Sequence, residues 1–468
     1  MRAPLVVLAL AAASCAAPSA TCPTTTASAP ASAKRAPPGP VRHVVVVSID
    51  GLMPDAYVHP DAHGLKVPTL RRIVAGGAAA LDGSESVFPS VTYPSHTSMV
   101  TGVLPAKHGI YTNRIFDPLD RNFGAWRWYA EDVARDPIWR LVERAGYTSA
   151  IVWWPVTTGA EVSYRVPEYW RAKTETDREL VRALSTPGLL DDVARVSPDF
   201  WPRFVPPDVD DTALGDIASY VIEKGKPTLT LVHLIEVDAH QHDHGVWSAE
   251  ALAAIEKDDG VVAKILASID RAGMGDDTNV IVVSDHGFMD AAKLVEPCVL
   301  LRDAGFVTLD SHGKIASWKA AALSSGGQAY VYVNPATDDA QTREAVRALF
   351  ASKASEPANG IARVYAPEDI RAIGGDPHAA LAIEAAPSFQ FGASCGGDYA
   401  GGPPPYPATH GYDPRRPELR ASMLFFGKNV AHGVIEHARV IDVAPTIASW
   451  LGIEMKGVDG RALAVITK

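Results

Sequence analysis

Three stretches of the chain are apolar at nearly every position and rich in β-branched residues: Val41 to Ile49, Thr228 to Ile235 and Val280 to Val283. An unbroken apolar run of this length predicts a strand buried on both faces, because a half-exposed strand would alternate. Between the runs lie stretches with helical patterning, such as Pro68 to Gly76, Pro137 to Gly146 and Ala249 to Gly273. Strands alternating with helices predict an α/β fold, a mostly parallel central sheet with helices on both faces. Residues 155–210 and 296–408 fit this alternation poorly. They are predicted to be insertions, the first a cap and the second a lobe.

An acidic residue follows each apolar run: Asp50, Asp238 and Asp285. Ligands of open parallel sheets bind outside the carboxyl ends of the strands, so the three acids are predicted to share one site. Asp238 has His242 four residues on, which places both side chains on one side of a helical turn. The neighbouring His240 and His244 compete with it as ligands, although solvated loop histidines are their ordinary reading. Asp285-His286-Gly287 and Thr409-His410-Gly411 bring two more imidazoles. Thr92 stands just before Pro94, and proline favours the first turn of a helix. The predicted helix runs from Pro94 to Thr101 and stops at Gly102. Its free N–H groups and positive dipole end would face Thr92, a suitable place for a phosphoryl group in transfer.

Each of these signals is weak alone, since Asp-Gly and Asp-His-Gly are ordinary turn sequences. Together they make a set of three carboxylates, three imidazoles and one hydroxyl. That oxygen- and nitrogen-rich set suits two divalent cations sharing a reactive alkoxide, and so the hydrolysis of phosphate esters or anhydrides.

Charge narrows the partners. With 43 basic and 54 acidic residues the net charge is -11, which is not the surface of a protein that coats nucleic acid. Anionic substrates must then be drawn in locally, by the metals. The first fourteen residues read as an export signal: Arg2 gives the charge, Leu5 to Ala12 the apolar run, and Ala13 and Ser14 the small residues before Cys15. Either Cys15 becomes the lipidated N-terminus of a membrane-anchored protein, or the segment is removed from a periplasmic or secreted one. Residues 15–41, rich in Ala, Pro and Thr, cannot bury enough surface to order themselves and are predicted to be a flexible tether to a catalytic body at 42–468. Cys298 and Cys395 are candidates to pair in an oxidising compartment.

The stretches VVVVSIDGL, FPSVTYPSHTSMVTGVLPAKHGI, HLIEVDAHQHDHG, VVSDHGF and THGYDP occur in that order between residues 44 and 413. In order and content the chain resembles the nucleotide pyrophosphatase/phosphodiesterase family of the alkaline phosphatase superfamily. The resemblance implies two zinc ions, with manganese as a substitute. Asp238, His242 and His410 would hold one, and Asp50, Asp285, His286 and the Thr92 oxygen the other. It implies Thr92 as nucleophile and Asn113, in HGIYTN, as the holder of a non-bridging phosphate oxygen. Tyr93, beside the nucleophile, is the aromatic residue expected to touch a phosphate diester or nucleotide substrate. The Trp126 to Tyr129 cluster is read as surface packing. One departure bears on substrate choice: Trp154-Pro155-Val156 stands where family members carry Trp-Pro-Gly. The alternatives within the superfamily are a phosphonate hydrolase, a phosphomonoesterase and a phospho-transferase. Outside it, the alternative is a metal-binding surface protein without turnover.

Overall fold

The long apolar runs form strands β1 (His43–Ile49), β5 (Leu229–Leu234) and β6 (Thr278–Val283). With β2 (Ala78–Ala79), β3 (Ser149–Val152), β4 (Tyr164–Val166), β7 (Met423–Gly427) and β8 (Gly433–Val434) they build one eight-stranded sheet in the order β8-β2-β7-β6-β1-β5-β3-β4. This computed structural model describes residues 39–465 apart from Phe123 and Ala125, so the export signal, Cys15 and nearly all of the tether lie outside the described residues. The five strands from β6 to β4 are parallel to one another, and β7 runs antiparallel to β6.

Helices cover both faces of the sheet. The core on one face joins Val45, Val47 and Ile49 to residues of α1 (Pro68–Gly76), α4 (Asp211–Gly225) and α6 (Ala249–Arg271). The core on the other face joins Val44 and Val46 to α2 (Thr92–Thr101), α3 (Ile138–Arg144) and α7 (Val443–Leu451). Successive β1 valines thus alternate between two cores, which is why the run carries no polar interruption. A further helix, α5 (Glu236–His244), leads out of β5 over the strand ends.

One segment of the predicted first insertion belongs to the central sheet. Tyr164–Val166, inside the stretch 155–210, is the edge strand of the central sheet. It is three residues long and half-exposed, too short to give a periodic signal. The stretch 296–408 carries its own four-stranded antiparallel sheet, in the order Ala320–Ser325, Gln328–Val333, Leu381–Ala385, Ile361–Tyr365. Cys298 and Cys395 are joined by a disulfide, with Cα atoms 4.7 Å apart, across this lobe. No helix among the described residues is long and apolar enough to cross a membrane.

Candidate active site

The register of the sheet builds the site. Ser48 of β1 pairs with both His233 and Val283, so β1, β5 and β6 end at one level. Asp50 and Asp285 leave their strands at that level. Asp238 does not sit at a strand end: it lies in the first turn of α5, with His242 one turn further on. Two trios result. Asp238, His242 and His410 offer ligand atoms within 4.8 Å of one another, and so do Asp50, Asp285 and His286. The trios adjoin, because the His286 and His410 rings stack with centroids 3.7 Å apart. His240 and His244 stack on each other instead and join neither trio.

The backbone has to make close passes to achieve this. Gly51, after Asp50, has φ of +68°, and a Cβ there would lie 2.6 Å from the Phe288 ring. Gly411, after His410, has φ of +94°, and its Cβ would meet the Ser325 carbonyl at 2.0 Å. The glycines that look like ordinary turn residues in sequence are therefore required by contacts to other segments.

Thr92 is the first residue of α2, two residues earlier than predicted, and its Oγ1 lies 3.5 Å from Nε2 of His286. Val91 precedes it in an extended conformation and no side chain caps the helix start. Pro94 occupies a first-turn position where its missing N–H is no loss. The Tyr93 N–H donates to Oδ1 of Asn113 at 2.9 Å, and both residues line the same cavity. This bond orients the Asn113 amide and leaves its NH2 group for the cavity. His96 fixes the helix from within, meeting the Thr92 carbonyl and the Ser48 hydroxyl, each at 2.9 Å.

The donor set fits metal ions on its own evidence. Asp50 Oδ1, Asp238 Oδ1 and Asp285 Oδ2 are buried with no hydrogen-bond partner. His242 Nδ1 meets the Ala408 carbonyl and His410 Nδ1 the Ser90 carbonyl, each at 3.0 Å. A carbonyl only accepts, so both rings hold their proton on Nδ1 and turn an Nε2 lone pair toward Asp238. Burial first, then the charges of Asp285 and Asp238, pushes the Asp50 carboxyl well above its ordinary range. Burial also raises Asp238. For Asp285 burial is outweighed by the adjacent His286, which holds that carboxyl low. Burial likewise gives way to Asp285 and Asp50 at His286, which is raised to about 9. Three carboxylates gathered out of water call for positive charge, and two divalent cations would supply it.

One residue that sequence reasoning passed over completes the site. His233 Nε2 lies 3.0 Å from Asp50 Oδ2, and its Nδ1 is 3.1 Å from the Trp153 carbonyl and 3.6 Å from Glu168. Burial opposes a proton on this ring, but its bonds to Asp50 and Glu168 prevail and hold the pKa well above the ordinary histidine value. Glu168 in turn accepts from the Tyr93 hydroxyl at 2.8 Å.

The cavity over Thr92 has a volume of about 500 Å³. Tyr93 is only 1% exposed, so most of its ring is committed to packing. The better exposed aromatics there are Trp126, Trp170 and Tyr406. Trp126 is thus a cavity wall and not surface packing, while its neighbour Trp128 is buried. Another part of the lining, Ser324 to Gly326 and Gln390 to Gly392, comes from the lobe. A larger cleft of about 740 Å³ opens behind Phe288 but includes neither trio nor Thr92.

A sheet of this topology, with two carboxylate–imidazole trios and a threonine at a helix start, defines an α/β protein of the alkaline-phosphatase-like class. More closely, the chain belongs to the type I phosphodiesterase / nucleotide pyrophosphatase family, whose sequence profile matches residues 44–413. It is 24% identical over 251 residues to human ectonucleotide pyrophosphatase/phosphodiesterase family member 1, covering 52% of this chain and 23% of that protein. It is 23% identical over 252 residues to mouse bis(5'-adenosyl)-triphosphatase enpp4, covering 53% and 48% respectively. The chain therefore spans less than half the length of these curated relatives. The structure of murine ectonucleotide pyrophosphatase/phosphodiesterase 5 superposes with a TM-score of 0.61 at 21% identity, over 89% of this chain and 97% of that one. The family is one of phosphodiesterase and pyrophosphatase hydrolases.

Proposed function

We propose that this protein is an exported two-zinc phosphodiesterase or nucleotide pyrophosphatase that works through a phosphothreonine intermediate. The observation that carries the reading is the position of Thr92: its Oγ1 is 3.5 Å from His286, at the uncapped start of a helix, where the two trios adjoin. Asp238, His242 and His410 would hold one cation, and Asp50, Asp285 and His286 the other, with nitrogen and oxygen donors that suit zinc and admit manganese. Bound there, the cations would lower the pKa of the Thr92 hydroxyl and neutralise phosphate charge.

Thr92 Oγ1 attacks phosphorus in line and expels an alcohol or a phosphate; water then cleaves the phosphothreonine. The Asn113 NH2 and the Thr92 N–H meet the charge on the remaining oxygen. Trp126 and Trp170 give the leaving group an apolar wall. A murine relative has been solved as an inactive threonine-to-alanine form with AMP, which supports a nucleotide ligand for the class. Export rests on the first fourteen residues, and replacement of Cys15 by serine should release the full chain from the membrane fraction if Cys15 carries lipid.

The test compares wild type with Thr92→Ala for bound zinc and for turnover of a bis-aryl phosphate and its monoester. Retained zinc, diester activity in wild type, loss of it in the variant and loss on chelation are expected. A strong monoester preference would move the protein to the phosphomonoesterases, and zinc without turnover in either form would make it a metal-binding protein.

A further inference from the structure

A third cluster of ligating side chains lies apart from the two trios, where α4, α5 and α6 meet. Asp211 opens α4, Glu236 opens α5, and Asp258 sits in the middle of α6. One oxygen from each lies within 4.8 Å of the other two. Asp211 and Asp258 are both 0% exposed, whereas the Glu236 side chain is 20% exposed and opens the cluster toward solvent.

The hydrogen bonds of two members are accounted for. Asp211 accepts the Ile235 N–H at 2.9 and 3.0 Å and the Glu236 N–H at 2.8 Å. Glu236 accepts the Asp211 N–H at 2.9 Å and the Lys257 ammonium at 3.0 Å. Lys257 also bonds Asp210, at 2.8 Å, so its charge is already shared between two carboxylates. Asp258 is different: both of its oxygens are buried and neither has a hydrogen-bond partner. A proton shared with Asp211 would engage one of those oxygens and leave the other orphaned. A cation engages a carboxylate through either oxygen or both.

We propose that Asp211, Glu236 and Asp258 form a binding site for a hard divalent cation, calcium or magnesium, separate from the two zinc sites. The all-carboxylate donor set carries no nitrogen or sulfur, which selects hard cations over zinc. Burial and the neighbouring Asp211 and Glu236 push the Asp258 carboxyl well above its ordinary range, the same crowding of negative charge seen from the proton's side. The cation would pin the starts of α4 and α5 to the body of α6. Asp238 and His242 follow within the same short helix, so its effect reaches the zinc ligands as a fixed placement of α5.

The inference does not depend on the proposed reaction, because its test counts cations and zinc separately. The zinc-loaded full chain is equilibrated with millimolar calcium chloride or magnesium chloride, desalted and assayed for metals, and its melting temperature is followed against each salt. Wild type should retain one equivalent of calcium or magnesium beyond its zinc and melt higher as that salt is added. Asp258→Asn should lose the extra equivalent and the salt response while keeping its zinc. Wild type with no such equivalent and no salt response would overturn the site and assign Asp258 a proton, as would undiminished retention by the variant. Should the variant not fold, the wild-type stoichiometry and melting series decide alone.

Discussion

His233 donates from Nε2 to Oδ2 of Asp50 across 3.0 Å, holding one oxygen of that carboxylate so that the other faces His286 at 3.5 Å. The other ring nitrogen faces the Trp153 carbonyl, so both nitrogens act as donors. A group that orients a metal ligand in this way is typically worth 10–100-fold in affinity or activity. For the cation proposed at the Asp50 trio, His233→Leu should therefore weaken binding by about 10–100-fold, with a smaller loss for His233→Gln, which retains a donor. Competition with a chelator reads the affinity directly. Equal affinity in wild type and the leucine variant would reduce His233 to space filling.

Asn113 presents two separable groups. Its Oδ1 accepts the Tyr93 N–H at 2.9 Å, and its NH2 faces the cavity. Asn113→Asp keeps the acceptor and removes the donor, so its melting temperature should match wild type while kcat falls on the order of 10²–10³. A kcat within a factor of about two of wild type would remove Asn113 from charge stabilisation.

Val156 shows what the departure from Trp-Pro-Gly does to the backbone. Its φ is +58°, left-handed territory that a β-branched residue enters only under strain, and it is buried beside Tyr93, Ile110 and Val133. Strain of this kind costs about 1–2 kcal/mol, and burying a valine contributes about 1.5–3 kcal/mol. The two effects largely offset, so Val156→Gly should change unfolding free energy by no more than about 2 kcal/mol. A loss of the full burial value in denaturant titrations would mean that the valine is unstrained.

Burial of His108 should contribute to acid sensitivity. His108 is buried, takes the Ile110 N–H at 3.1 Å on Nδ1 and faces the Ser98 hydroxyl at 2.8 Å on Nε2. Burial lowers its pKa to about 3, while the unfolded chain takes the proton near 6.5. Because the folded state resists protonation, this stability is complete above pH about 6.5 and drains away as pH falls toward about 3. His108→Gln should flatten the pH dependence of the denaturation midpoint in that window. Parallel curves for variant and wild type would contradict the assignment.

The parts of the molecule legible in sequence are those whose signal is local. β1, β5 and β6 are buried on both faces and read as unbroken apolar runs, and Asp50 and Asp285 follow such runs directly. β2 and β4, of two and three residues, are too short to carry a period. His233 is not legible in sequence, because a lone histidine within Leu229–Leu234 reads as a tolerated core residue. Its pairing with Ser48, two residues before Asp50, is the register fact that reveals it. Trp126 reads as packing because the cavity it lines is assembled from distant segments, Ser324 to Gly326 among them. The Asp211, Glu236 and Asp258 cluster leaves no local trace, since each acid belongs to a different helix.

The chamber above Thr92 has a floor set by the sheet and sides borrowed from distant surface excursions. Changes in the segments that carry Trp170 and Ser324 to Gly326 would redraw what the chamber admits. The carboxylates and imidazoles at its base, held by the sheet and α5, would stay unaltered by such changes.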